Sequence, residues 1–76
     1  MQKTNITLAS VQDVRDFVKE VILLDYEVDL VQGRYIVDAK SIMGIFALDT
    51  LKPIEVQAHT ECADAFFKRI DKYIVK

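Results

Sequence analysis

The sequence has a single cysteine, a single histidine, one proline, two glycines and no tryptophan. One cysteine excludes an internal disulfide and cannot by itself form a cysteine-rich metal site. No apolar run approaches the roughly 20 residues needed to span a bilayer, so no membrane insertion is expected. The opening Met1-Gln2-Lys3-Thr4-Asn5 lacks the apolar region of a signal peptide. A cytoplasmic location is therefore expected. Basic charge is also lacking. The formal net charge is −2, which argues against a nucleic-acid partner, since that needs a basic face. There is no repeat, linker or low-complexity segment, and residues 1–76 are expected to form one domain. A chain this short buries little core, so its stability should be modest. An apolar fraction of 51% and a charged fraction of 29% place it among folded globular proteins rather than disordered ones.

What is present is a clear alternation of periods. Residues 3–8 place Ile6 and Leu8 on one face and Asn5 and Thr7 on the other, a first strand. Ser10 opens a helix, and with Asp13 it has capping-box spacing. Val11, Val14, Phe17, Val18, Val21 and Ile22 recur at steps of three and four, one apolar stripe over three turns. Tyr26, Val28 and Leu30 alternate with Glu27 and Asp29, a second strand. Gln32-Gly33 is a two-residue hairpin signal, because glycine tolerates positive φ. Tyr35, Ile36 and Val37 form a third strand. Ser41 caps a second helix ending near Asp49, and Pro53 keeps Lys52 out of helical φ/ψ. Ile54, Val56 and Ala58 alternate with Glu55, Gln57 and His59, a fourth strand. Thr60 is placed to cap a last helix whose stripe is Ala63, Phe66, Phe67, Ile70 and Ile74. Four strands with helices on one face make a two-layer α+β domain of order β-α-β-β-α-β-α. The first six elements fit a ferredoxin-like arrangement equally well.

The densest apolar stretch is Lys40-Ser41-Ile42-Met43-Gly44-Ile45-Phe46-Ala47-Leu48-Asp49. Ile42, Ile45, Phe46 and Leu48 cannot all face one core, so apolar surface should stay exposed there, as at a docking patch. Ile45 and Leu48 share a face and suit the core. Met43 and Phe46 read equally well as core or as contact residues. The segment Ala39-Lys40-Ser41-Ile42-Met43-Gly44-Ile45 resembles the short second helix of HPr, the small phosphocarrier of the bacterial sugar phosphotransferase system. Phe17-Val18-Lys19-Glu20 is similar to part of that family's first helix, at a matching distance from Ser41. The resemblance spans nearly the whole chain. It implies the HPr-like open-faced sandwich, a four-stranded antiparallel sheet with three helices on one face, and so decides against the ferredoxin-like alternative.

HPr proteins carry phosphate on a histidine at the start of the first helix, in a His-x-Arg-Pro motif. Counting back from Phe17, those positions fall on Ser10, Gln12 and Asp13, and none matches. The family's second phosphorylation point is the serine of Ser-Ile-Met-Gly, modified by a dedicated kinase in many Gram-positive bacteria, and that position is Ser41. The catabolite-repression HPr also lacks the histidine and keeps the serine, but it retains the Arg-Pro missing here. The resemblance further implies that Ile42, Met43 and Phe46 are the apolar surface presented to partners. Those partners would be proteins of the phosphotransferase system, HPr kinase or a transcriptional regulator.

The remaining candidates carry less. A phosphate on Ser10 would be too stable to pass on, and Asp13 and Asp16 would repel it, so a plain capping role is expected. His59 lies on the polar parity of the fourth strand, and a single ligand does not make a metal site. Cys62 stands at the start of the third helix, where the dipole favours a thiolate but Glu61 and Asp64 oppose it. A small, half-buried filler is expected there. No catalytic residue, cofactor or metal is expected, and no enzyme activity. The expected function is a regulatory or interaction domain without histidine phosphotransfer, with Ser41 a regulatory phosphorylation site. The alternative is a working phosphocarrier using a non-standard site.

Overall fold

Strand alternation puts a continuous apolar row on one side of a sheet, and the rest of the chain folds to cover that side. The computed structural model describes residues 1–75. Its elements are β1 (Gln2–Ile6), α1 (Val11–Val21), β2 (Val28–Gln32), β3 (Tyr35–Asp38), α2 (Ile42–Phe46), β4 (Ile54–Ala58) and α3 (Asp64–Arg69), followed by a 3-10 turn, Asp71–Tyr73. The strands form one antiparallel sheet in the order β1-β4-β2-β3. Ile54, Val56 and Ala58 on β4, with Val28, Leu30 and Ile6 on its neighbours, are completely buried. Lys3, Asn5, Glu55, Gln57 and Asp29 hold the opposite parity and form the polar face.

Ser10 caps helix α1 as expected, its Oγ accepting from Asp13 N at 3.1 Å, but the capping box does not close: Asp13 Oδ2 accepts from Ala9 N at 3.1 Å, one residue before the Ser10 amide expected. The helix buries Val14, Phe17, Val18 and Val21. Val11 and Ile22, expected in the same stripe, are instead 54% and 56% exposed, because they sit at the helix ends and on the flank of the stripe. Phe17 is the hub of the core. Its ring centroid lies 6.3 Å from that of Phe66 and 6.3 Å from that of Tyr73, the latter edge-on at 79°. Such aromatic contacts add to what burial alone contributes.

Several boundaries differ from the sequence expectation. Strand β1 stops at Ile6, because the next two amides leave the ladder: Thr7 N donates to Tyr73 O and Leu8 N to Thr50 O. Tyr26 precedes β2. The hairpin turn is Gly33-Arg34, one residue later than expected, since Gln32 pairs with Tyr35. Gly33 has φ +59° and, among the described residues, no non-glycine residue has positive φ, the pattern of a turn with glycine at its first central position. Helix α2 ends at Phe46, not near Asp49. Ala47 N and Leu48 N reach back only three residues, to Gly44 O and Ile45 O. The Gln32 side chain then captures Asp49, accepting from its N–H and donating to its C=O, each at 2.8 Å. Thr60 does not cap α3. Its Oγ1 accepts from Cys62 N at 3.3 Å within a local turn, and Ala63 stands at the N-cap with no side-chain bond. Cys62 therefore precedes the helix and is exposed, not the half-buried filler expected. Helix α3 ends at Arg69, and Ile74 leaves its stripe to bridge with Ile6.

Phe17→Ala should cost about 3–5 kcal/mol, the usual range for emptying a buried phenylalanine site. Domains this small have little more stability than that to lose. Urea denaturation should therefore show a largely unfolded chain, and a midpoint close to that of the parent would contradict the central role given to Phe17.

Candidate functional site

A five-residue helix cannot sustain itself, so α2 (Ile42–Phe46) is held by what surrounds it. Ile45 is completely buried and Leu48, just beyond the helix, is 7% exposed, so both join the core. Ser41 Oγ accepts from Gly44 N at 3.1 Å, satisfying one orphan amide of the first turn. Upstream, Ser41 N donates to Asp38 O at 2.9 Å and Lys40 N to Asp38 Oδ1 at 2.8 Å, which fixes the turn leaving β3. Gly44 is needed for close approach. A Cβ there would lie 3.2 Å from both Ser41 Oγ and Val37 Cβ.

With Ile45 turned inward, the other apolar side chains of α2 turn outward. Met43 is 81% exposed, Phe46 45% and Ile42 37%. Leu8 N donates to Thr50 O at 2.9 Å, which brings the approach to α1 beside the loop leaving α2. Leu51 and Val11 follow those two residues in the chain, and both are exposed. Sequence periodicity missed both: Val11 because it matched the α1 stripe, Leu51 because it belongs to no element. Gln32 was also missed as the residue that positions this loop. Its polar side chain on an apolar strand parity was the available signal.

The two serines occupy equivalent local positions, each an N-cap whose hydroxyl accepts from the amide three residues on. Their surroundings differ. At Ser10 the first turn holds Asp13, whose carboxylate occupies the Ala9 amide, and Gln12 Nε2 is bound to Asp16 Oδ1 at 2.9 Å. At Ser41 the first turn holds no acid. His59 lies away from both helix starts. It follows β4, and its Nε2 is 2.8 Å from Asp29 Oδ2. Tyr26 lies near Cys62, and burial, then the charges of Asp25 and Cys62, hold its phenol above the ordinary value. Among the described residues no group of three or more His, Cys, Asp or Glu side chains is placed to hold a metal. No helix there is long and apolar enough to cross a membrane.

No family model and no curated protein matches the sequence. Solved structures do match. HPr-C-His from Thermoanaerobacter tengcongensis superposes with a TM-score of 0.78 at 20% identity, over 95% of this chain and 89% of that one. A mycoplasma histidine-containing phosphocarrier protein gives 0.74 at 19% identity, over 93% and 89%. A phosphocarrier protein HPr from Bacillus anthracis strain Ames gives 0.73 at 20% identity, over 97% and 96%. The chain has the HPr fold. The expected open four-stranded antiparallel sheet with three helices is thus the observed one. On this HPr fold, Ser10 stands at the start of the first helix and Ser41 at the start of the short second one.

Ser41→Ala should lower stability by about 0.5–2 kcal/mol, the range for losing a capping hydroxyl. Met43→Ala, on the exposed side of the same helix, should change it by less than about 0.5 kcal/mol. Chemical denaturation of the two variants checks this. Equal midpoints would mean that the Ser41 hydroxyl does not cap.

Proposed function

We propose that this chain is an HPr-like protein of the bacterial sugar phosphotransferase system, acting as a regulatory or protein-interaction domain without histidine phosphotransfer. The observation that carries this reading is the occupied entrance to α1, where Ser10 Oγ accepts from Asp13 N and the Asp13 carboxylate folds back onto Ala9 N. The matched structures include proteins named as phosphocarriers, one of them as histidine-containing. A phosphate at a helix start needs free amides and favourable charge. Here the Ser10 hydroxyl already uses the Asp13 amide, and the Asp13 carboxylate brings negative charge to the same turn. Gln12 supplies no cation.

Contact with partners would run through α2. Ile42, Met43 and Phe46 offer an apolar surface on a short, well-anchored helix, and methionine adapts readily to different partners. Proteins of the phosphotransferase system, HPr kinase or a transcriptional regulator are the proposed partners. Ser41 is the proposed regulatory phosphorylation site. Phosphate adds about −1.5 to −2 charges at a helix start, where unpaired amides favour it. The fold would survive, and the charge beside Ile42 and Met43 would change which partners bind.

Incubation with Enzyme I and labelled phosphoenolpyruvate should leave the chain unlabelled. Ser10→His alone should remain a poor acceptor, because Asp13 stays in place and no arginine is added. Treatment with HPr kinase and ATP should place phosphate on Ser41, located by mass spectrometry. Label transfer from Enzyme I to the parent chain would overturn the non-carrier reading. Absence of phosphate on Ser41 would leave that serine as a cap only.

A further inference from the structure

The sheet order leaves β3 with one unpaired edge, and two large apolar side chains on it are open to solvent, Tyr35 at 64% and Ile36 at 68% exposed. We propose that this edge pairs with the β3 edge of a second copy of the chain, antiparallel and centred on Ile36, so that two sheets join into one. This pairing is independent of phosphate chemistry and of the α2 surface.

The backbone restricts the register. Ala39 N donates to Val28 O, so Ala39 faces β2. In an antiparallel ladder the facing alternates. Tyr35 and Val37, paired with Gln32 and Leu30, therefore also turn their amides and carbonyls toward β2. Ile36 turns both groups to the free edge, and Asp38 turns its N–H there. Its carbonyl accepts from Ser41 N at 2.9 Å. A symmetric partner must meet outward groups with outward groups, so the twofold axis passes through a residue and not between two.

Charge selects among the registers that remain. Centring on Val37 would set Arg34 opposite Lys40 and Ile36 opposite Asp38, a like-charge pair and a mismatch. Centring on Ile36 sets Arg34 of each copy opposite Asp38 of the other. Ile36 then meets Ile36, and Tyr35 meets Val37. Opposite charges facing each other across strands stabilise a pair, and like charges destabilise it. Within one copy Asp38 lies opposite Asp29, another carboxylate, and Asp29 is engaged by His59. Neither Arg34 nor Asp38 has an ion-pair partner among the described residues. A second copy supplies one to each. The spacing Arg34-x-Ile36-x-Asp38 is self-complementary about its centre, as an isologous contact requires, whereas a peptide of arbitrary sequence would not satisfy both ends.

Sedimentation velocity should show a monomer–dimer equilibrium that moves toward dimer as the concentration is raised to about 1 mM, the range of a weak contact. Over the same range, amide exchange at Ile36 should slow severalfold, while exchange at Tyr35 and Val37, already bonded within the sheet, should not respond. Arg34→Asp should weaken association about tenfold by setting two like-charge pairs across the contact, and Arg34→Lys should preserve it. Circular dichroism would confirm that both variants fold. A chain that stays monomeric throughout would overturn the proposal. So would a dimer whose Ile36 amide exchanges at a rate independent of concentration, or one that Arg34→Asp leaves intact, since either would place the contact on another surface.

Discussion

Everything exposed on α2 depends on one residue that is not. Ile45 is the only buried residue within that five-residue helix, and a segment of this length has no helical stability of its own. Burying Ile45 fixes the helix rotation, and the rotation sends Met43 and Phe46 outward. Gly44 sets how closely α2 can lie on β3, because its missing side chain leaves room for Val37. Gln32 then stops the chain from winding further by holding the Asp49 backbone. The exposed apolar surface is thus a consequence of anchoring. A longer helix would have a broader buried stripe and fewer apolar residues left over.

The strands were legible because the sheet is covered on one face only. One-sided burial writes a period of two into the sequence, and β4 carries it most cleanly, with Ile54, Val56 and Ala58 all fully buried. The helix stripes were legible where three or more turns contribute, as in α1. What could not be read was set by tertiary hydrogen bonds. Thr60 has the chemistry of a cap, but its hydroxyl closes a local turn on Cys62 before α3 begins. Tyr73 carries no periodic signal for the core, since it lies in a 3-10 turn beyond the helical period, yet it is 5% exposed and packs against Phe17. The hairpin turn lies one residue later than Gln32-Gly33 suggests, because glycine marks a positive-φ position without saying which turn residue it is.

The candidate site was legible in the same uneven way. Ser10 and Ser41 both announce helix starts, and both side chains cap as their sequence contexts suggest. Whether Met43 and Phe46 face inward could not be decided from spacing, because Ile42, Ile45, Phe46 and Leu48 cover too wide an arc for one short helix. The decision came from packing. Val11 shows the converse error: its spacing fits the buried stripe of α1, but it lies where that stripe runs past the edge of the core.

The contrast between the two serines rests on the charge of the first turn. A helix start has a fixed set of unpaired N–H groups, and an internal carboxylate and a phosphate would seek the same ones. At α1 Ser10 takes the Asp13 amide, while the Asp13 carboxylate, itself in the first turn, folds back onto the Ala9 amide ahead of the cap. A phosphate placed there would sit beside that carboxylate. At α2 the Ser41 hydroxyl takes the Gly44 amide and Asp38 takes the Lys40 amide just ahead of the cap, but the first turn itself holds no acid. Asp38 and Lys40 flank that serine with opposite charges. Replacing its cap oxygen by phosphate oxygens would keep the amide bond while adding charge on the exposed side, next to Ile42 and Met43. The two caps share their geometry and differ in first-turn charge. The acid of α1 would oppose an added phosphate, whereas the phosphate proposed at Ser41 would add charge on the exposed side, away from the buried Ile45 that holds the helix in place.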